Sequence, residues 1–265
     1  ITTIRCDNVN PKLLGMNKIV SEDSMRRALL KINETEGILW LQHHLNKCYA
    51  PLLAVPWILD VDTTVKVLYG KQEGAIIGYN PKKPGRPSHT YQTYSIANLR
   101  LVLDVEVQAG NQSAASYSAP DLWQLLEKLP SNHLPEFIRG DCAFGTNGIM
   151  TTAEAKDIHY LFKLKITQNV KRLIEKLMIN QSWEQAGQGW EGQEAFLQLM
   201  GWQKHRRVIV LRRQVTKDIG IVAENTATSQ LEFNFGKIDT KMKVYEYAVL
   251  VTSLSDEIIS IAQHY

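Results

Sequence analysis

The period of the hydrophobic positions changes several times along the chain, and each change marks an element. After Ser21, the residues Met25, Leu29 and Ile32 recur at helical spacing, with Arg26, Arg27 and Lys31 on other faces. Ser21 is placed to cap that helix, and Glu22 and Asp23 in its first turn face the positive end of the dipole. A second helix is predicted from Ile38 to Leu45. From Val55 the spacing shortens to strands, first VPWILDVD and then TTVKVLYG. A loop rich in Gly, Pro and Lys follows from Lys71 to Tyr91, and a long apolar run from Tyr94 to Gly110 reads as a strand because its second half alternates.

Pro120 opens a helix, at an early position where its missing N–H does no harm. FIRGDCAFG, from Phe137, is a short strand ending in a glycine-bracketed turn; Thr151 to Lys156 is helical, HYLFKLKI from His159 is a buried strand, and NVKRLIEKLM from Asn169 is a helix with a basic side. The order strand, strand, strand, helix, strand, helix, strand, helix predicts a mixed α/β sheet. RVIVLRRQV, IGIVA and LEFNF then read as further strands in a β-rich insertion. Tyr245 to Leu254 returns to a core-like strand, and Ser255 caps a last helix with Asp256 and Glu257 in its first turn. The predicted organisation is a helical segment over 1–50, the first part of an α/β core over 51–179, the insertion over 180–243, and a return strand with the start of a helix over 244–265.

Composition narrows the class little. The 265 residues are 44% hydrophobic and 22% charged, with a net charge of +3, and a pI near 8.6 admits nucleic acid as a partner without requiring it. Cys6, Cys48 and Cys142 are scattered singly, which suits a reducing compartment and gives no zinc spacing; Cys142 is expected to be small and buried. No apolar run approaches the ~20 residues that span a bilayer, and ITTIRCDN is neither a signal peptide nor a start with methionine. The expectation is a cytoplasmic protein without membrane partners, whose first residue, Ile1, falls inside a longer polypeptide.

The chemistry gathers at carboxylates. Asp60 and Asp62 are two residues apart in the β-branched run ILDVDTTVKVLYG, so a strand would point both to one face. Like charges so placed need a positive partner. Asp141, in FIRGDCAFG, is a second acid at a strand end. Carboxylates at neighbouring strand ends can share divalent cations such as Mg²⁺, whose hard charge prefers oxygen ligands, although a strand-end aspartate also serves as a turn or helix cap. Asp60 is read as a hydrogen-bonded structural residue or a solvent-exposed one.

The run from Leu59 to Tyr91, beginning LDVDTT, resembles the first catalytic block of DDE transposases of bacterial insertion sequences, with Asp62, Thr63 and Thr64 on the family's Asp-x-Thr, and FIRGDCAFG is similar to the second block, with Asp141 as its acid. The resemblance implies an RNase H-like fold, a mixed five-stranded sheet with flanking helices, with a β-strand insertion between the second and third acids. It implies Asp62 and Asp141 as catalytic residues and ligands of Mg²⁺ or Mn²⁺. Two ions could activate an attacking oxygen and stabilise a leaving one. It also implies double-stranded DNA as partner, both transposon ends and target, a homodimer on that DNA, and a bacterial, nucleoid-associated location. The family's third acid is the glutamate of a Tyr-x-x-Arg-x-x-x-Glu pattern, and Tyr265 stands where that tyrosine is expected. Two metal ions and a phosphate carry about +4 and −1, which three carboxylates roughly balance, so this chain, with two of the acids, is expected to cleave DNA poorly.

Lys82, Lys83 and Arg86 lie in NPKKPGRPS, a stiff extended loop suited to the DNA minor groove or simply to solvent. Arg207 and Arg212, with Arg206 and Arg213 beside them, could meet phosphates or be solvated. Trp190, between Gly189 and Glu191, could stack on an unpaired base or sit in the core. The leading expectation is a transposase that cleaves and transfers DNA strands. The alternatives are another RNase H-like nuclease and an inactive DNA-binding remnant.

Overall fold

The computed structural model describes residues 2–78, 80, 83–112, 115–179, 182–218 and 241–265. The expected strands IGIVA and LEFNF, and Lys82, lie outside these residues. The chain divides into two compact units, Ile1–Leu52 and Leu53–Tyr265.

The first unit holds α1 (Thr2–Arg5), α2 (Val9–Leu13), α3 (Glu22–Leu29) and α4 (Glu34–Tyr49). Ser21 caps α3 as its sequence predicts, its side chain accepting from the Ser24 N–H at 3.1 Å. The second helix is longer than the span from Ile38 to Leu45, because Asn33 provides a cap upstream: its Oδ1 accepts from the N–H groups of Thr35 (3.0 Å) and Glu36 (3.4 Å).

The second unit is built on one sheet. Its strands are β1 (Ile58–Val67), β2 (Ile76–Ile77), β3 (Pro87–Ile96), β4 (Leu101–Ala109), β5 (Phe137–Gly140), β6 (His159–Lys163), β7 (Glu184–Gly187), β8 (Trp190–Leu197), β9 (Arg206–Asp218) and β10 (Lys241–Thr252). The helices are α5 (Ala115–Glu127), α6 (Asn147–Ala155), α7 (Gln168–Ile179) and α8 (Ile258–His264). Strand order is β2-β3-β1-β5-β6-β10-β9-β8-β7, with β4 also on β3. Within it, β4-β3-β1-β5-β6 is the expected mixed five-stranded sheet: β3 is antiparallel to β1 and β4, and β5 and β6 run parallel to β1.

Four strands precede α5 where the pattern predicts three, and they are divided differently. VPWILDVD and TTVKVLYG contribute to a single strand, β1, because β-branched Val61, Thr63, Thr64 and Val65 keep the backbone extended past the aspartates. The run from Tyr94 to Gly110 is broken instead, by a turn in which Arg100 takes a φ of 54°. The described strands of the β-rich segment all belong to this same sheet. β9 and β10 pair from Arg207–Thr252 to Asp218–Lys241, and β10 also pairs with β6, so the segment extends the core sheet; the boundary expected after residue 243 falls inside β10. The last helix starts at Ile258 with Glu257 as N-cap, not at Ser255. Arg207 holds the preceding turn extended by donating to the carbonyls of Leu254 (2.7 Å) and Asp256 (2.9 Å).

Strand alternation divides the core. Ile58 packs with Phe137, Leu161, Ile209, Leu211 and Leu250 beneath Ile258 and Ile261 of α8. Residues of the opposite parity, Leu59 and Val61, are buried on the other face. There β4 meets α5 through Gln108, which donates to Asp121 Oδ2 at 3.1 Å.

Candidate active site

Parity places the aspartates. Asp60 and Asp62 follow Ile58 onto the α8 side of β1, and Arg139 follows Phe137 onto the same side of β5. Asp60 is in register with Arg139, and Val61 with Gly140. Asp62 follows Val61 within β1, and Asp141 follows Gly140 as the first residue past the end of β5, so both acids leave one matched pair of positions on adjacent strands. Both are exposed.

The positive partner that the paired aspartates need is Arg139, and it serves Asp60 alone. Its Nε and Nη2 donate to Asp60 Oδ1 and Oδ2 at 3.0 and 2.9 Å, and its Nη1 donates to the His264 carbonyl at the end of α8 at 2.7 Å. The Asp60 hydrogen bond raises the Arg139 pKa further above its ordinary value. Asp60 therefore has the structural role. Neither Asp62 nor Asp141 has an ion-pair partner among the described residues.

Local bonds orient both free carboxylates. Asp141 Oδ1 accepts from the Ala143 N–H at 2.8 Å, closing a tight turn after β5. Gly140 is required before it: a Cβ there would stand 2.8 Å from Val61 Cγ2 and 3.1 Å from the Phe144 ring. The turn also swings Cys142 outward, so this thiol is exposed, not buried as its residue type suggests. Asp62 Oδ2 accepts from Thr64 Oγ1 at 3.2 Å, and its carbonyl accepts from Thr93 Oγ1 at 3.3 Å. Tyr265 stands close enough for the Asp141 charge, after burial, to raise its phenol pKa. Nothing in the sequence spacing announces Arg139; it lies 79 positions from Asp60.

The basic residues divide into two groups. Lys83 and Arg86 surround the exposed Tyr69 at the tip of the β1–β3 ribbon: Lys83 Nζ donates to the phenol oxygen, and Arg86 Cζ lies 5.5 Å from the ring centroid. The Lys83 bond and charge lower the Tyr69 pKa. The β9 arginines are engaged internally. Arg206 is buried, with Nε and Nη2 on Glu154, Nη1 on Asn147 and Nη2 also on Thr151. Arg207 pairs with Glu194 at 2.9 Å, and Arg212 pairs with Glu191 at 2.7 Å while lying between Trp183 and Tyr245. Trp190 is half-buried against the core, with Arg213 over its ring at 4.9 Å.

Two outward carboxylates, one on β1 and one just past the end of the neighbouring β5, define the class: a site whose donors are suited to hard divalent cations. Among the described residues, no group of three or more His, Cys, Asp or Glu is arranged to hold a metal ion. The chain belongs to the family described as transposase DDE domain group 1, whose model matches residues 55–232 and so spans β1, β5 and most of the added strands. No curated protein matches the sequence. A solved structure it resembles is the piggyBac transposase synaptic complex with hairpin DNA, at 10% identity and a TM-score of 0.41. That match covers 77% of this chain and 34% of the other, so the chain spans about a third of the length of that transposase. Among the described residues, no helix is long and apolar enough to cross a membrane.

Proposed function

We propose that this chain works on double-stranded DNA as a transposase of an insertion sequence, cleaving strands at the element's ends and transferring them to target DNA. One observation carries the reading: two exposed carboxylates with no ion-pair partner among the described residues, Asp62 and Asp141, each one residue past the Val61–Gly140 match of adjacent parallel strands, in a chain of the DDE family. Asp62 and Asp141 would hold Mg²⁺ or Mn²⁺, and the bound ions supply Lewis acidity to the attacking and leaving oxygens of a phosphodiester. The protein's part is to aim the acids. The Ala143 N–H and the Thr64 hydroxyl fix one oxygen of each, and Arg139 keeps Asp60 occupied so that it does not compete for the cation. Lys83 and Arg86, with Lys82, contact the DNA. Arg207 and Arg212 reach phosphate only in competition with Glu194 and Glu191, and Trp190 reaches a base only by leaving Arg213. Two copies act together on two ends.

The absence of a third carboxylate around Asp62 and Asp141, among the described residues, favours a second reading in which this chain binds DNA and cation but cleaves poorly. Mn²⁺ binding followed by electron paramagnetic resonance, beside nicking of duplex DNA, tests both. Either Asp62→Asn or Asp141→Asn is expected to weaken Mn²⁺ binding by more than about tenfold while leaving DNA affinity in place. Mn²⁺ binding unchanged in the double variant overturns the site. Efficient nicking by the 265-residue chain overturns the second reading.

A further inference from the structure

We infer that the open face of the β1–β3 ribbon is a track for duplex DNA, and that Tyr69, Lys83 and Arg86 at its tip grip the sugar–phosphate backbone about six base pairs from the phosphate at Asp62 and Asp141. This rests on the DNA-processing reading above and adds a site to it. Alternation puts Asp62, Thr64 and Lys66 on one exposed face of β1, where they pair with Thr93, Tyr91 and His89 of β3. Beyond Asp62 these positions carry no acid, and they include a cation and two rings whose centroids are 6.5 Å apart. The Leu68 N–H still bonds to the Pro87 carbonyl at 2.9 Å, so the pairing reaches Leu68, and Tyr69 follows in the turn beyond it. Seven residues at ~3.3 Å, shortened by twist, give about 20 Å, or about six base pairs of 3.4 Å rise.

The tip is built to present charge. Among the described residues, Arg139, Arg206, Arg207, Arg212 and Arg213 each pair with a carboxylate, whereas Lys83 and Arg86 pair with none. What holds these two is an aromatic ring that leaves their charge intact. Lys83 is fixed at the phenol oxygen, Arg86 lies on the ring, and Asn80 Oδ1 accepts from the Lys83 N–H at 3.1 Å. Gly85, with a φ of 77°, makes the turn that returns Arg86 to the same ring. Tyr69 is thus a positioning residue: it limits the freedom of two long side chains before a phosphate arrives, and that preorganisation strengthens binding.

The exposed thiol of Cys142 allows a direct test. In a Cys6→Ser, Cys48→Ser background, the full chain is disulfide-linked through Cys142 to a thiol on one phosphate of a 30-base-pair duplex, which fixes the register. Hydroxyl-radical footprinting should then show protection at the tether and a second protected patch about six base pairs away. Tyr69→Ala and the Lys83→Ala, Arg86→Ala double variant should each lose the second patch and keep the first, and Tyr69→Phe should restore much of it. With untethered duplex, Tyr69→Ala should weaken binding about three- to tenfold with the salt slope nearly unchanged, and the double variant should flatten that slope by about two charges. A missing second patch in the wild type, or one that persists in Tyr69→Ala, overturns the inference. Binding without salt dependence and with no protection anywhere overturns the DNA-processing reading itself.

Discussion

The Asp60–Arg139 pair makes a quantitative prediction. Its two hydrogen bonds, at 3.0 and 2.9 Å, are bidentate and charge-assisted, and the side chains keep 38% and 24% of their exposure. Opposite charges at about 4 Å attract by about 4 kcal/mol at an effective dielectric of 20, before desolvation and side-chain ordering oppose them. Exposed pairs net up to about 1 kcal/mol and breaking a fully buried one costs about 3–5, so half-exposure puts the coupling here at about 1–2 kcal/mol. Asp60→Asn should destabilise by about 1–2 kcal/mol. Arg139→Met should cost about 2–3, because it leaves the half-buried Asp60 carboxylate without its cation and also removes the donor to the His264 carbonyl. The double variant should lose less than the sum. Urea unfolding of the four proteins, followed by tryptophan fluorescence, gives the cycle. A coupling below about 0.5 kcal/mol would refute the claim that Arg139 is what makes adjacent aspartates tolerable on β1.

Two further predictions concern the faces flanking the site. Burial first, then the hydrogen bond and charge of Asp121 and the charge of Asp104, push the Glu106 pKa up to about 8, against a smaller opposing pull from Lys128. The folded chain therefore keeps a proton that the unfolded chain loses, and stability should fall as pH rises from about 4.5 to about 8, by about 1–2 kcal/mol after allowance for solvent screening; Glu106→Gln should remove that slope in urea titrations at pH 5 to 9, and parallel curves for the two proteins would defeat the assignment. Arg206→Met should destabilise by about 2–3 kcal/mol, since it leaves Glu154 with only Lys204 and the Tyr160 hydroxyl and removes the partner of Asn147 and Thr151, and a loss under 1 kcal/mol would show that the network is dispensable.

The sequence marks the two candidate acids more clearly than it marks the residues packed around them. Asp62 and Asp141 are legible because each ends a buried apolar stretch with a small or β-branched neighbour, and strand parity is local. Their lateral match is not local: it depends on Val61 pairing with Gly140 across the sheet. The same limit explains the arginines. RRVIVLRR reads as basic ends on a buried strand, but alternation turns Arg206 toward α6 and Arg207 toward α8, and the acids that receive them come from distant segments. Cys142 reads as buried from its type, yet the Asp141 turn decides its exposure. The break between β3 and β4 is hidden because Asn98, Leu99 and Arg100 contain no glycine, although Arg100 adopts a left-handed conformation.

The lock between Asp60 and Arg139 also bears on how this protein tolerates change. Sliding β1 by a single notch along β5 would turn both outward acids toward the apolar side beneath α5 and leave a guanidinium facing hydrocarbon. Insertion or deletion of one residue between Leu59 and Asp62 is thus barred twice, by chemistry and by packing. Length changes beyond Val67, where β1 ends, meet neither barrier, so the connection to β3 can lengthen or shorten without moving Asp62 or Asp60.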